Sequence, residues 1–299
     1  MAVKTAETAA SLRRDAEKVS GSLPPLLVEA ERLVSTLITG AHGRRRSGHG
    51  ETFWQYRAAQ PGDSLGQIDW RRSSKSDRLF VREMEWEAAE SVVLWCDRAR
   101  SMEFKSDKLD WTKQDRARLL TLATSVLLQR AGERFGLLGS DLANPRAGET
   151  QLMRIAANLS VPDHNAKDFG APPKGQLPRA GKAVFFSDFM GPRDDVFPAL
   201  LNAAGQGTGG IFVMILDPVE EEFPFSGRTR FESVARAVRH ETDEAGALRN
   251  EYLARLAERR SDLAGVAERA GWQLILHRTD ESPRKALVQI HSYLGGAQS

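Results

Sequence analysis

Residues 91–102 read Ser91-Val-Val-Leu-Trp-Cys-Asp-Arg-Ala-Arg-Ser-Met102, and this stretch decides the fold. Its first six residues are an almost unbroken apolar run rich in β-formers, which suits a central parallel strand covered on both faces better than a half-exposed one. Asp97 then stands at the carboxyl end of that strand. In open α/β sheets ligands bind at this edge, because loops and helix N-termini converge there.

Downstream of Ser91, strand-sized and helix-sized patterns alternate. Asp110 can cap a helix that runs to about Arg130, with Leu119, Leu122, Ala123, Val126 and Leu127 facing a core. Phe135 to Gly139 reads as a strand and Leu152 to Leu159 as a short helix. The proline- and glycine-rich segment from Val161 to Gly181 reads as an exposed loop. Next come a strand over Lys182 to Phe186 ending in Ser187-Asp188, a helix over Asp194 to Ala204, and a strand over Ile211 to Leu216. An extended detour through Phe223 to Phe231 leads to a long charged helix from about Asp243 to Ala270, the strand Trp272 to His277 and a final helix near Arg284 to Leu294. Repeated βα units imply a mostly parallel, Rossmann-type sheet with helices on both faces and right-handed crossovers.

Upstream, three regions differ in character. Residues 1–40 hold a polar tail and one helix from Pro24 to about Ile38, with Ser22 as a cap, Gly40 as a stop and a stripe of Leu26, Leu27, Ala30, Leu33, Val34, Leu37 and Ile38 that needs something to pack against. Residues 41–90 lack a helical period, are dense in Gly and Arg, and show alternating segments around Trp54 to Ala58, Leu65 to Trp70 and Arg78 to Trp86, which predicts a small β-rich subdomain. Residues 91–299 form the α/β domain. Asp69 and Trp70 read as an interaction element of the small subdomain or, the favoured reading, as its core, with Asp69 as a cap or an ion-pair partner of Arg71 or Arg72.

Among the 299 residues, 41% are apolar and 27% charged, as in an ordinary soluble domain. The longest apolar runs fall well short of the ~20 residues that span a bilayer, and the N-terminus is too polar for a signal peptide, so a cytoplasmic protein without a membrane partner is expected. The single cysteine, Cys96, excludes an intrachain disulfide framework and reads as a small core residue. A net charge of +2 gives no global pull toward nucleic acid.

Two predicted strands end in aspartate, Asp97 and Asp188, and the hydroxyl of Ser101 lies four residues past the first. Thr150, just before the short helix, offers another oxygen. Oxygen ligands from separate loops at one sheet edge are what Mg²⁺ requires, although each residue taken alone also suits an ordinary strand end or helix cap.

The chain carries further motifs in a fixed order: Arg57-Ala-Ala-Gln-Pro-Gly-Asp63, Ile68-Asp69-Trp70, Asp97-Arg-Ala-Arg-Ser-Met102, Phe186-Ser-Asp-Phe189, Asp217-Pro-Val-Glu220 and Phe223-Pro-Phe-Ser-Gly227. In order and spacing these resemble the domain-of-unknown-function family 58, from about Arg44 to the C-terminus. The resemblance implies a von Willebrand factor A-like fold and an association with MoxR-type AAA+ ATPases. It also implies a metal-ion-dependent adhesion site on Asp97, Ser101, Thr150 and Asp188, in degenerate form because Ala99 has no hydroxyl. Arg98 and Arg100 place two positive charges beside any cation there. The cofactor expectation is therefore none, or weakly bound Mg²⁺, and the two arginines become candidates to receive a partner's carboxylate directly.

The basic run His42-Gly-Arg-Arg-Arg46 with Trp54, Tyr56 and the arginines up to Arg82 has the make-up of a single-strand nucleic-acid surface. The interleaved acids Glu51, Asp63, Asp69, Asp77, Glu83 and Glu85 weigh against it. No Gly-x-Ser-x-Gly elbow, phosphate loop, dinucleotide fingerprint or His-Glu-x-x-His is present. The expected function is a non-enzymatic, protein-binding adaptor whose strand-edge loops engage a MoxR-type ATPase or its client. A metal-dependent hydrolase using Asp97 and Asp188, with His164 or His277 brought near by folding, is the alternative, and the basic patch over 42–82 is a third.

Overall fold

A computed structural model describes residues 25–39, 53–60, 68–74, 78–84, 89–163, 166–234 and 239–295. The chain divides into two compact units, residues 1–42 with 90–299, and residues 43–89.

In the larger unit the order of elements is α1 (Pro25–Thr39), β3 (Ser91–Cys96), a 3-10 turn (Arg100–Glu103), α3 (Lys113–Arg130), β4 (Arg134–Leu137), α4 (Glu149–Ser160), β5 (Lys182–Ser187), α5 (Arg193–Ala204), β6 (Gly209–Leu216), α6 (Pro218–Glu222), the hairpin β7 (Thr229–Glu232) and β8 (Arg239–Thr242), α7 (Ala245–Ala270), β9 (Gln273–Arg278) and α8 (Pro283–Gly295). The small unit contributes β1 (Phe53–Ala58), α2 (Trp70–Ser73) and β2 (Phe80–Met84). Five strands form one parallel sheet in the order β4-β3-β5-β6-β9. The chain leaves β3 toward one edge, returns past it, and then proceeds toward the other edge. The reversal falls between β3 and β5, so the crevice at their carboxyl ends is the topological switch point.

Side-chain alternation sorts the strands between two cores. Val92, Leu94 and Cys96 face the side packed by α1, α3, α4 and α8, together with Val184, Phe186, Val213 and Ile275. Val93 and Trp95 face α5 and α7, with Phe185, Phe212 and Trp272. Both faces are covered, which is why β3 reads as an unbroken apolar run. The α1 stripe buries Leu27, Ala30, Val34 and Leu37 in the first of these cores, so the helix of the N-terminal region is part of the α/β unit. Its proposed cap and stop, Ser22 and Gly40, lie outside the described residues, and so does the 42–46 basic run.

Several boundaries differ from expectation for local reasons. The helix after Asp97 begins at Lys113, capped by Thr112 rather than Asp110. The Thr112 side chain accepts from Asp115 N, and Asp115 reciprocates on the Thr112 N–H. In the small unit, Asp69 Oδ1 accepts from Arg72 N at 2.9 Å and starts the short helix α2, so the chain at Trp70 is helical where a strand was expected. Trp70 stands 58% exposed, which corrects the reading of it as a core residue. The helix that Asp69 caps turns the indole outward. The antiparallel pair β1–β2 and a bridge from Ile68 to Val81 do form. No helix among the described residues is long and apolar enough to cross a membrane.

Candidate functional site at the switch point

The three central strands β3, β5 and β6 all run into aspartates: Asp97, Asp188 just past Ser187, and Asp217. All three are buried. A buried carboxylate is costly unless each oxygen finds a donor or a cation, so the partners of each one define what the site can do.

Asp97 is held by its own loop and by β5. Its N–H donates to Phe186 O at 2.9 Å, Oδ1 accepts from Ala99 N at 2.9 Å, and Oδ2 accepts from Ser187 Oγ at 2.6 Å. Burial, and then the charge of Asp188, push its carboxyl up to about 6, against the hydrogen bond from Ser187. The proline-rich segment of residues 161–181 does not run free in solvent at this point. Arg100 N and Ser101 N donate to Lys167 O and Asp168 O, both at 2.8 Å, and Gly170 lies close against the Asp97 carboxylate. A Cβ built on Gly170 would lie 2.1 to 2.4 Å from the Asp97 carboxyl atoms, so glycine is required there by close approach.

Asp188 is aimed by strain. The next residue, Phe189, adopts φ 50, a left-handed conformation uncommon for a non-glycine residue. Its ring is fully buried and packs with Trp95 and Phe212. Its N–H donates to Ser187 Oγ at 2.9 Å, while Met190 N donates to Asp188 Oδ1 at 3.0 Å. The other oxygen, Oδ2, accepts from Lys113 Nζ at 2.8 Å. The same ammonium donates to Glu220 Oε1 at 2.6 Å, and the Phe104 ring lies 5.7 Å from it. Glu220 in turn accepts from Asp217 N through Oε2 at 2.9 Å, as half of the capping box of α6. Asp217 Oδ2 accepts from Ser106 N, which ties the Asp97 loop to the end of β6.

Lys113 is 1% exposed and occupies the first position of α3. Burial lowers its pKa, but the charges and hydrogen bonds of Asp188 and Glu220 outweigh that and hold it above the ordinary lysine value. Burial pushes Glu220 upward, opposed by Lys113. A cation in the first turn of a helix opposes the helix dipole, and here the two carboxylates offset that penalty.

The remaining predicted site residues separate. Ser101 is buried in the 3-10 turn, and its hydroxyl has no partner among the described residues. Thr150 is exposed in the first turn of α4 and takes no part in the network around Lys113. Arg98 bends away to the carboxyl end of α4, where Nη1 donates to Asn158 Oδ1 at 3.3 Å and Nη2 to Val161 O. Arg100 is exposed. His277 is buried beside Arg116, and His164 lies outside the described residues. Among the described residues no group of three or more His, Cys, Asp or Glu side chains is arranged to hold a metal. The residues present fit a divalent ion poorly, because the ammonium of Lys113 already stands between the oxygens of Asp188 and Glu220.

Lys113 and the role of Glu220 escaped sequence reasoning, as did the contact of Gly170. One signal was available: a lysine inside a Thr-x-x-Asp capping box runs against the dipole and asks for a buried partner.

A doubly wound parallel α/β unit with a buried lysine paired to acidic side chains at its switch point is the class of domain this chain presents. The chain belongs to the family described as protein of unknown function DUF58, whose model matches residues 55–262. Similar proteins include uncharacterized proteins of Mycobacterium bovis and of two strains of Mycobacterium tuberculosis, each 26% identical over 278 residues, covering 89% of this chain and 86% of the relative. Among solved structures, the conserved hypothetical protein BatB from Bacteroides thetaiotaomicron is matched over 70% of this chain and 100% of that one, at 11% identity and a TM-score of 0.36, too low to carry an argument.

Proposed function

We propose that this chain is a non-catalytic, protein-binding adaptor of von Willebrand A-like architecture that meets its partner with the loops at the carboxyl edge of the sheet. The partner is a MoxR-type AAA+ ATPase or its client, as the family resemblance implies, and the setting is the cytoplasm. The observation that carries the non-catalytic reading is the commitment of both candidate carboxylates. Asp97 accepts from Ala99 N and Ser187 Oγ, and Asp188 from Met190 N and Lys113 Nζ. A metal-dependent hydrolase needs a carboxylate that holds the ion and leaves an open coordination position for water. Here the Gly170 backbone lies on Asp97, and an ammonium takes the free charge of Asp188.

The partner then meets the exposed rim. Arg100 stands on the 3-10 turn, while Arg98 serves the fold by binding the end of α4. An exposed guanidinium suits bidentate capture of a carboxylate. The test is calorimetry against a purified MoxR-type ATPase at two salt concentrations, with and without EDTA. Arg100→Ala should weaken the complex and flatten its salt dependence, and EDTA should change nothing. Generic phosphoesters and peptides should not turn over with or without Mg²⁺. No measurable complex, or a Mg²⁺-dependent turnover lost in Asp188→Asn, rejects the reading.

A further inference from the structure

Three buried polar atoms without a hydrogen-bond partner among the described residues lie where β9 ends: Arg116 Nε on α3, His277 Nε2 on β9, and Thr279 Oγ1 one residue past the strand. Their residues are 6%, 3% and 1% exposed. The Arg116 guanidinium reaches over from α3 and donates through Nη2 to Thr279 O at 2.8 Å, which fixes it at the strand end. The ladder to β6 runs on through Thr279, whose N–H donates to Leu216 O at 3.0 Å. His277 and Thr279, two residues apart, therefore lie on the face of Ile275, the face that α3 and α8 cover. The Arg116 charge is second only to burial in keeping the imidazole neutral, as expected of neighbours.

Water meets the needs of a neutral imidazole and a hydroxyl in this state, but a guanidinium needs more. A lysine or histidine buried alone sheds its proton, whereas arginine keeps its charge, so a buried arginine calls for a counter-charge. The acids around Arg116 do not supply it. Glu29 of α1 and Asp280 act on it without forming an ion pair, and burial prevails over both. Asp280 is taken by Arg278 at 3.0 and 2.8 Å, and Glu281 by Lys285 at 3.2 and 3.3 Å. We propose that the end of β9 is a binding site for a small oxyanion of the phosphate or sulfate class, held by Arg116 Nε–H, His277 Nε2–H and the Thr279 hydroxyl. Such an ion balances the guanidinium and offers a separate oxygen to each donor, which a halide does not. None of the three groups enters the partner-binding reading, so failure here leaves that reading intact.

The test uses the full chain dialysed into chloride buffer and titrated by calorimetry with sulfate and with inorganic phosphate at matched ionic strength. The native protein should show one saturable site for at least one of these ions. Arg116→Met and Thr279→Val each replace a polar group by an apolar one of similar size. The first should weaken binding about tenfold or more, and the second about threefold or more. No saturable site for either ion in the native protein overturns the proposal, and so does unchanged affinity in either folded variant. Where a variant does not fold, nuclear magnetic resonance of the native protein decides alone. The Arg116 Nε–H and His277 ring resonances should shift saturably with the ion that binds, and resonances that stay in place put the ion elsewhere and overturn the assignment.

Discussion

Replacing Lys113 by Met keeps the length and volume of the stem and removes only the charge and its three donors. In the native protein the ammonium makes two charge-assisted hydrogen bonds, to Asp188 and Glu220, and is 1% exposed. Bonds of this kind contribute about 1.5 to 3 kcal/mol each, but removing one side of a buried ion network also leaves the other side uncompensated. The expected cost is therefore about 3 to 5 kcal/mol, read as a lower urea midpoint with an unchanged slope. The deficit should shrink as pH falls, because burial already pushes Glu220 upward and, without the ammonium that opposes it, this carboxyl regains neutrality by taking up a proton. The decisive comparison is the triple variant Lys113→Met, Asp188→Asn, Glu220→Gln. With no charge left to bury it should recover most of the loss, since a buried ion network replaced whole is often neutral in stability. A single variant that costs under about 1 kcal/mol, or a triple variant no better than the single, would show that the network does not carry the charge balance assigned to it.

Other positions give sharper local tests. Gly170→Ala should destabilise by about 1 to 3 kcal/mol, because its Cβ would meet the Asp97 carboxyl at 2.1 to 2.4 Å, and Asp97→Ala in the same chain should relieve part of that cost in a double-mutant cycle by chemical denaturation. Burial and the Arg116 cation push His277 down to about 4, with Asp280, Glu281 and Lys285 also nearby. The folded state then binds fewer protons than the unfolded chain between about 6.5 and 4, so stability from this group is intact above that window and about 3 kcal/mol is lost as pH falls through it; His277→Gln should flatten that limb of a stability-against-pH curve. Trp70→Ala should cost under about 1 kcal/mol in a thermal melt, since the residue is largely exposed. Cys96, whose thiol burial raises to about 11, should react with a thiol reagent only after unfolding.

The strands and helices of the α/β unit were legible in the sequence because the signals that form them are local. Residues 92–96 are apolar on both faces because two cores sandwich them, and Leu119, Leu122, Ala123 and Val126 repeat at helical spacing on α3, a helix buried on nearly every side. The aspartates at the ends of β3 and β5 were legible for the same reason, as polar residues that end apolar runs. The small unit was less so: a single cap, Asp69, turned an expected strand into a helix and carried Trp70 outward. What the site does with its charges was decided only by the tertiary structure. Lys113 meets Asp188 across 75 residues and Glu220 across 107, and the one local hint, its place inside the Thr112–Asp115 capping box, names neither partner. Likewise Gly170 sits in a segment that reads as an exposed loop, yet its backbone rests on Asp97. Local periodicity fixes which side chains are buried, whereas the pairing of buried charges depends on strand order, and that order is set by how the whole chain packs.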